Sequence, residues 1–142
     1  MSISARNVFK GKITALIDGA VNAEVELTLA GGDKIVAIVT EGSVKSLGLA
    51  VGKDATAYVK APWVMLLCGP ATERFSARNQ LSGTVKRVEK GAVNSEVAIE
   101  LPGGAVVQAI VTNEAVAELA LEPGIPATAM FKASHVILGV PA

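Results

Sequence analysis

Glu24-Val25-Glu26-Leu27-Thr28-Leu29, followed by Ala30-Gly31-Gly32-Asp33-Lys34 and Ile35-Val36-Ala37-Ile38-Val39-Thr40, is the stretch from which the rest of the chain can be read. Polar and apolar residues alternate from Glu24 to Leu29, which predicts a half-buried strand because successive strand side chains point to opposite faces. Gly31-Gly32 predicts a hairpin, since glycine tolerates the positive φ that tight turns need, and Ile35 to Val39 is the returning strand. Thr40 then reads as a helix N-cap, its hydroxyl accepting from a first-turn amide that has no partner inside the helix. Val44 and Leu47, three apart, share one face of a short helix ending near Gly48. Upstream, Gly19-Ala20-Val21-Asn22 is a turn and Asn7 to about Asp18 a long first strand. Downstream, Leu49 to Gly52 leads out of the helix, and Ala55 to Lys60 and Trp63 to Leu67 are two more strands.

The same reading recurs 72 positions later, where Ser4-Ala5-Arg6-Asn7 falls on Ser76-Ala77-Arg78-Asn79 and Ala37-Ile38-Val39-Thr40 on Ala109-Ile110-Val111-Thr112. Without a gap, 29 of the 63 pairs formed by residues 4–66 and 76–138 are identical. One small unit has been duplicated and fused, which is distinct from a solenoid of many short repeats. The second copy has Gly103-Gly104 as its hairpin, Thr112 as its cap, and Val116 with Leu119 as its helix face. Three strands, a short helix and two strands is the order of an OB-type barrel. The expected class is therefore all-β, with two tandem five-stranded barrels, each carrying one short helix between its third and fourth strands. The expected division is residues 1–67, a linker over 68–75, and residues 76–142.

A unit of about 65 residues buries only about 60% of its unfolded surface and is marginal alone. Yet 51% of the chain is apolar, and its mean hydropathy is +0.48. The units are therefore expected to pack on each other or on further chains. Lys plus Arg and Asp plus Glu are 13 each, so no net field draws the chain to nucleic acid or to an anionic membrane. No apolar run reaches the length of a membrane helix, and Met1 to Arg6 lacks the apolar core of a signal peptide. Cytoplasmic residence is the default expectation. The single cysteine, Cys68, permits no internal disulfide.

Comparing the copies shows which residues the unit retains. Of 13 charged positions in residues 4–66, only Arg6, Glu24 and Lys60 meet the same residue in the other copy, as Arg78, Glu96 and Lys132. Arg6 precedes the first strand, Lys60 closes the fourth, and Thr40 and Ser43 open the helix. Two readings are open at this point. The cations could neutralise Glu24 or hydrogen-bond carbonyls at a barrel rim; alternatively, they could converge with Ser4, Thr40 and Ser43 into a donor-only pocket for a small tetrahedral oxyanion. Thr40 and Gly19 to Asn22 have ordinary roles as cap and turn, although the turn amides could also face an anion. Trp63 falls on His135, a mismatch that points to rim or packing roles.

Catalysis finds little footing. His135 is unrepeated and has no nucleophile beside it, and no phosphate loop, metal-spaced Cys/His cluster or repeated carboxylate pair occurs. No catalytic residue, cofactor or metal ligand is expected. Nucleic-acid binding, common among OB folds, relies on aromatics in a basic groove. Only five aromatics occur, none repeated as an aromatic pair.

Taken together, Ser-Ala-Arg-Asn at 4–7, Gly11, Gly-Ala-Val-Asn-x-Glu-Val at 19–25, Gly31-Gly32, Ala-Ile-Val-Thr at 37–40, and Lys60-Ala61 followed by Val64 and Leu66 resemble the Mop domain of molbindins, small molybdate-binding proteins. The pattern recurs from Ser76 to Leu138, as in the two-domain molbindins. The resemblance implies OB-like units working as an assembly of six, hence a trimer of two-unit chains, for molybdate and tungstate storage. It implies peripheral sites at interfaces between units, formed by Ser4, Ala5, Arg6, Lys60, Ala61, Thr40 and Ser43 and by Ser76, Ala77, Arg78, Lys132, Ala133 and Thr112. It further implies axial backbone sites at Gly19, Ala20, Val21 and Asn22 and at Gly91, Ala92, Val93 and Asn94. Ala115 stands where the first copy has Ser43, so peripheral sites of two unequal classes are expected. The alternative is an oxyanion-responsive sensor docking a separate partner, because neither a helix-turn-helix nor a P-loop is seen in the sequence.

Overall fold

A computed structural model describes all residues, Met1–Ala142. The first half runs β1 (Asn7–Asp18), β2 (Asn22–Leu29), β3 (Lys34–Thr40), α1 (Glu41–Leu47), β4 (Asp54–Val59), a 3-10 turn (Ala61–Trp63) and β5 (Met65–Leu67). The second runs β6 (Asn79–Lys90), β7 (Asn94–Glu100), β8 (Val106–Thr112), α2 (Asn113–Glu118), β9 (Pro126–Phe131), a second 3-10 turn (Ala133–His135) and β10 (Ile137–Gly139). Residues 68–78, between the halves, contain no helix or strand.

β2 keeps the alternation seen in the sequence: Ala23, Val25, Leu27 and Leu29 are buried while Glu24, Glu26 and Thr28 are only partly covered. It pairs antiparallel with β3, Leu27 opposite Ile35 and Glu24 opposite Ile38. β1 pairs with β4 from Asn7 to Lys12 and with β2 from Gly11 to Asp18, so Gly11 and Lys12 lie between both partners, and a bulge between Ile13 and Ala15 interrupts the β2 pairing. Such a bulge bends and twists the strand, which lets one strand serve two faces of a barrel. β6 repeats this with a bulge between Val85 and Arg87.

The expected fifth strand, Trp63 to Leu67, departs from expectation in two ways. Its start is the 3-10 turn, and the remaining strand joins the other half. One sheet is ordered β10-β4-β1-β2-β3 and the other β5-β9-β6-β7-β8, so each sheet takes its last strand from the opposite repeat. Leu66 pairs with Ala129 and Leu138 with Ala57. The exchange joins the halves, and 25 buried residues drawn from both form one connected core.

The hairpin tips meet as well. Gly32 and Gly104 each hold φ at +95°, as the turn requires, but Gly31 and Gly103 serve a different need. A Cβ on Gly31 would run into the Gly103 carbonyl, and one on Gly103 into Gly31 and Asp33. The glycine pair thus supplies both a turn and a backbone contact between repeats.

Val44 and Val116 rest partly buried on the core as expected, but Leu47 is exposed, and Leu119 caps α2 without belonging to it. The deep anchors are Leu49 and Leu121, whose amides donate to the carbonyls of Val44 and Val116 at 3.0 Å each. A left-handed residue after the last helical turn folds the chain back so that the next apolar side chain covers the helix end. Gly48 fills that place at φ 64°, whereas its counterpart is Ala120 at φ 51°. An L-residue in that region is strained by roughly 1 kcal/mol. Ala120→Gly is expected to raise the unfolding free energy by at most about 0.5 kcal/mol once the extra freedom of glycine in the unfolded chain, about 0.4–1 kcal/mol, is subtracted, as a slightly higher urea midpoint would show.

Candidate functional site

Ser76, Ala77 and Arg78 lie just before β6, Lys132 ends the segment after β9, and Ala133 opens the second 3-10 turn. The fold gathers all five around one cavity of about 300 Å³, with Ile38 of β3 and Ser134 also in its wall. A neighbouring cavity of about 330 Å³ is lined by Thr40, Ser43 and Asn22 of the first half, and Ile38 and Ser134 line it too. Cations of the second repeat and hydroxyls of the first therefore face adjoining spaces. This arrangement follows from topology: the second 3-10 turn packs on β3, and the first packs on β8.

Thr40 caps α1 as expected: the Ser43 amide donates to its Oγ1 at 3.1 Å, and the Thr40 hydroxyl donates to Ser43 Oγ at 2.9 Å. Thr112 accepts from the Ala115 amide at 3.0 Å, but no second hydroxyl stands beside it. Ser4, Ala5 and Arg6 precede β1, and Ala61 lies buried at the start of the first 3-10 turn. Lys60 does not mirror Lys132, because its Nζ lies over the Trp63 ring, 5.5 Å from the centroid.

The retained charges pair crosswise. Arg6 Nη1 meets Glu96 Oε2 at 2.9 Å, and Arg78 forms an ion pair with Glu24. Each arginine thus binds the glutamate of the other repeat, which upholds the neutralising role read from sequence and places it across the two halves. The guanidinium side chains stay 57% and 54% exposed. A guanidinium carries five N–H donors, so an ion pair through one nitrogen leaves others able to hold an anion.

Gly19 to Val21 and Gly91 to Val93 form the exposed β1–β2 and β6–β7 turns. They are tied to the helix starts: the Glu41 amide donates to the Val21 carbonyl, and the Asn113 amide to that of Val93. The Gly19 amide donates to Glu41 Oε1 at 3.3 Å and the Gly91 amide to the Asn94 carbonyl at 2.9 Å, so these two amides already have partners. Asn22 pairs with Thr40 across β2 and β3.

The role of Asn7 and Asn79 was missed in the sequence. Both are 1% exposed. Asn79 Oδ1 accepts from the Val36 amide and its Nδ2 donates to the Val36 carbonyl, both at 2.8 Å. Asn7 does the same to Gln108, at 2.7 and 2.8 Å. Each side-chain amide extends a strand edge of the other half and so places the Ser-Ala-Arg segment beside it. The signal was present, an asparagine retained in both copies at a strand start. Trp63 and His135, read as packing residues, stack on each other with centroids 4.7 Å apart. Partial burial pushes the Cys68 thiol pKa upward.

Two OB-type barrels with exchanged strands, and with cations of one half beside hydroxyls of the other, define a class of tandem-barrel protein. The TOBE domain family matches residues 3–66 and 76–138, and the chain belongs to it. It is 44% identical over 141 residues to the molybdenum-pterin-binding protein MopA of Rhodobacter capsulatus, covering 99% of this chain and 53% of that protein. It is 46% identical over 140 residues to the molybdenum transport protein ModE of Herbaspirillum seropedicae, covering 99% and 52%. The chain thus spans about half the length of these curated relatives. Molybdenum-pterin-binding protein 3 of Clostridium pasteurianum is 49% identical over 67 residues, which cover 47% of this chain and 98% of that one. A solved structure of the cytoplasmic molybdate-binding protein ModG with molybdate bound has a TM-score of 0.94 and 60% identity, covering 99% of this chain and 100% of that chain.

Proposed function

We propose that this chain binds molybdate, and tungstate with it, as a cytoplasmic store of the oxyanion that performs no chemistry on it. The observation that carries the reading is the cavity shared by Ser76, Ala77, Arg78, Lys132 and Ala133 beside Thr40 and Ser43, in a chain 60% identical to a protein solved with molybdate bound. The counterpart site uses Ser4, Ala5, Arg6, Lys60 and Ala61 with Thr112. Ala115 in place of Ser43 makes the two unequal.

The working form in this reading is a trimer. Val21 and Val93, the same residue in both halves, stand 72% and 71% exposed, and Met65 and Ile137 stand 51% and 61% exposed. Apolar residues repeated at the surface call for cover, which three chains meeting at the Gly-Ala-Val-Asn turns provide. Such an arrangement also brings the remaining turn amides together as axial sites. Native mass spectrometry with and without sodium molybdate is expected to show a trimer that takes up several molybdate ions. A monomer that takes up none would sink the proposal.

The sensor reading draws weight from ModE, since the matched region is about half of that relative. A partner captured only in the presence of molybdate would favour it over storage.

A further inference from the structure

After the retained lysine, the two halves share a backbone but differ in chemistry. Lys60-Ala61-Pro62-Trp63 and Lys132-Ala133-Ser134-His135 are closed by equivalent bonds. The amides of Trp63 and Val64 donate to the carbonyls of Lys60 and Ala61 at 3.0 and 3.2 Å, and those of His135 and Val136 to Lys132 and Ala133 at 3.0 and 3.2 Å. The lysine ψ angles are 132° and 138°. Ser134 and Pro62 therefore occupy the same place.

Ser134 lines both cavities of the candidate site. It stands where the wall bearing Arg78 and Lys132 meets the wall bearing Thr40 and Ser43. A serine there offers a hydroxyl and an amide hydrogen, whereas a proline offers neither. Two other differences fall on the same side. Ser43 of this site is Ala115 in the counterpart, and Lys132 lines its cavity while Lys60 is drawn over Trp63.

We infer that Ser134 is an oxyanion-contacting residue, and that with Ser43 it makes the Arg78 site the tighter of two unequal sites and the first to fill. The inference rests on the oxyanion-binding reading above and adds to it a residue and an order of filling. Molybdate presents only acceptor oxygens, so every hydroxyl in reach can donate to it. One hydrogen bond to a charged group corresponds to about a tenfold change in affinity.

Calorimetric titration with sodium molybdate of the wild type, Ser134→Ala, Ser134→Pro and Pro62→Ser tests this. The wild-type isotherm is expected to resolve tight and weak classes. Ser134→Ala is expected to weaken the tight class about tenfold and leave the weak class in place. Ser134→Pro, whose backbone the first half already accommodates, should weaken it at least as much, and Pro62→Ser should strengthen the weak class. A wild type with a single class, or Ser134→Ala isotherms superimposing on the wild type, would overturn the inference while leaving molybdate binding intact. A wild type that takes up no molybdate would overturn both.

Discussion

Asn79→Ala is expected to lower the unfolding free energy by about 3 kcal/mol. The side-chain amide of Asn79 satisfies both the N–H and the C=O of Val36 at 2.8 Å, and the asparagine is 1% exposed. Alanine leaves one donor and one acceptor unpaired beneath the surface, each costing about 1–3 kcal/mol where water does not enter to replace the lost partner. For a chain of this size the melting temperature should fall by about 6–12 °C. Asn7→Ala is expected to do the same through Gln108. Because these residues bind the opposite half, each variant should also loosen the Ser-Ala-Arg segment just before the clamp, and molybdate affinity should fall with stability. Thermal melts of Asn79→Ala within a degree of wild type would show that the clamp contributes nothing.

Arg78→Ala with Arg6→Ala is expected to weaken molybdate binding by about 100-fold at each of the two sites, since each site loses its one guanidinium, and two hydrogen bonds from a guanidinium to an anion correspond to about 3 kcal/mol. Loss of the guanidinium also leaves Glu24, which stands opposite the cavity-lining Ile38, without its partner, and its uncompensated negative charge repels the ligand. Adding Glu24→Gln and Glu96→Gln to the double variant should therefore recover part of the lost affinity. Stability should fall as well, because the glutamate side chains are only 23% and 16% exposed and a largely buried carboxylate that loses its cation is destabilising, a loss the glutamine substitutions should relieve in part. Calorimetry separates the outcomes. Undiminished binding by the arginine variant would remove the cations from the site, and no recovery with glutamine would remove the carboxylates from the account.

Much of the architecture was legible in local pattern. The alternation of Glu24 to Leu29, the Gly31-Gly32 turn and the Thr40 cap stand in the structure where the sequence places them. Leu47 did not keep its expected place, because a helix of under two turns ends in a left-handed turn that sends Leu49 into the core. The candidate site was legible only as a set of retained residues. Which half faces which hydroxyl depends on packing between segments far apart in the chain. Ser134 was invisible for another reason: its counterpart is Pro62, and comparing copies selects what they share.

The sequence by itself determined the duplication, the order of elements in each unit, and the three charges each unit keeps. Local periodicity, turn chemistry and capping are short-range, and a repeat of this fidelity displays them twice. Only the tertiary structure decided that β5 and β10 change places, that Arg6 and Arg78 bind the glutamates of opposite repeats, and that Asn7 and Asn79 clamp the other half. The physical reason is degeneracy. Val64 and Leu66 recur as Val136 and Leu138, so a short strand carries the same local signal whichever sheet it completes. The choice between two nearly identical partners rests with the path of the chain through space and with side chains that reach across it.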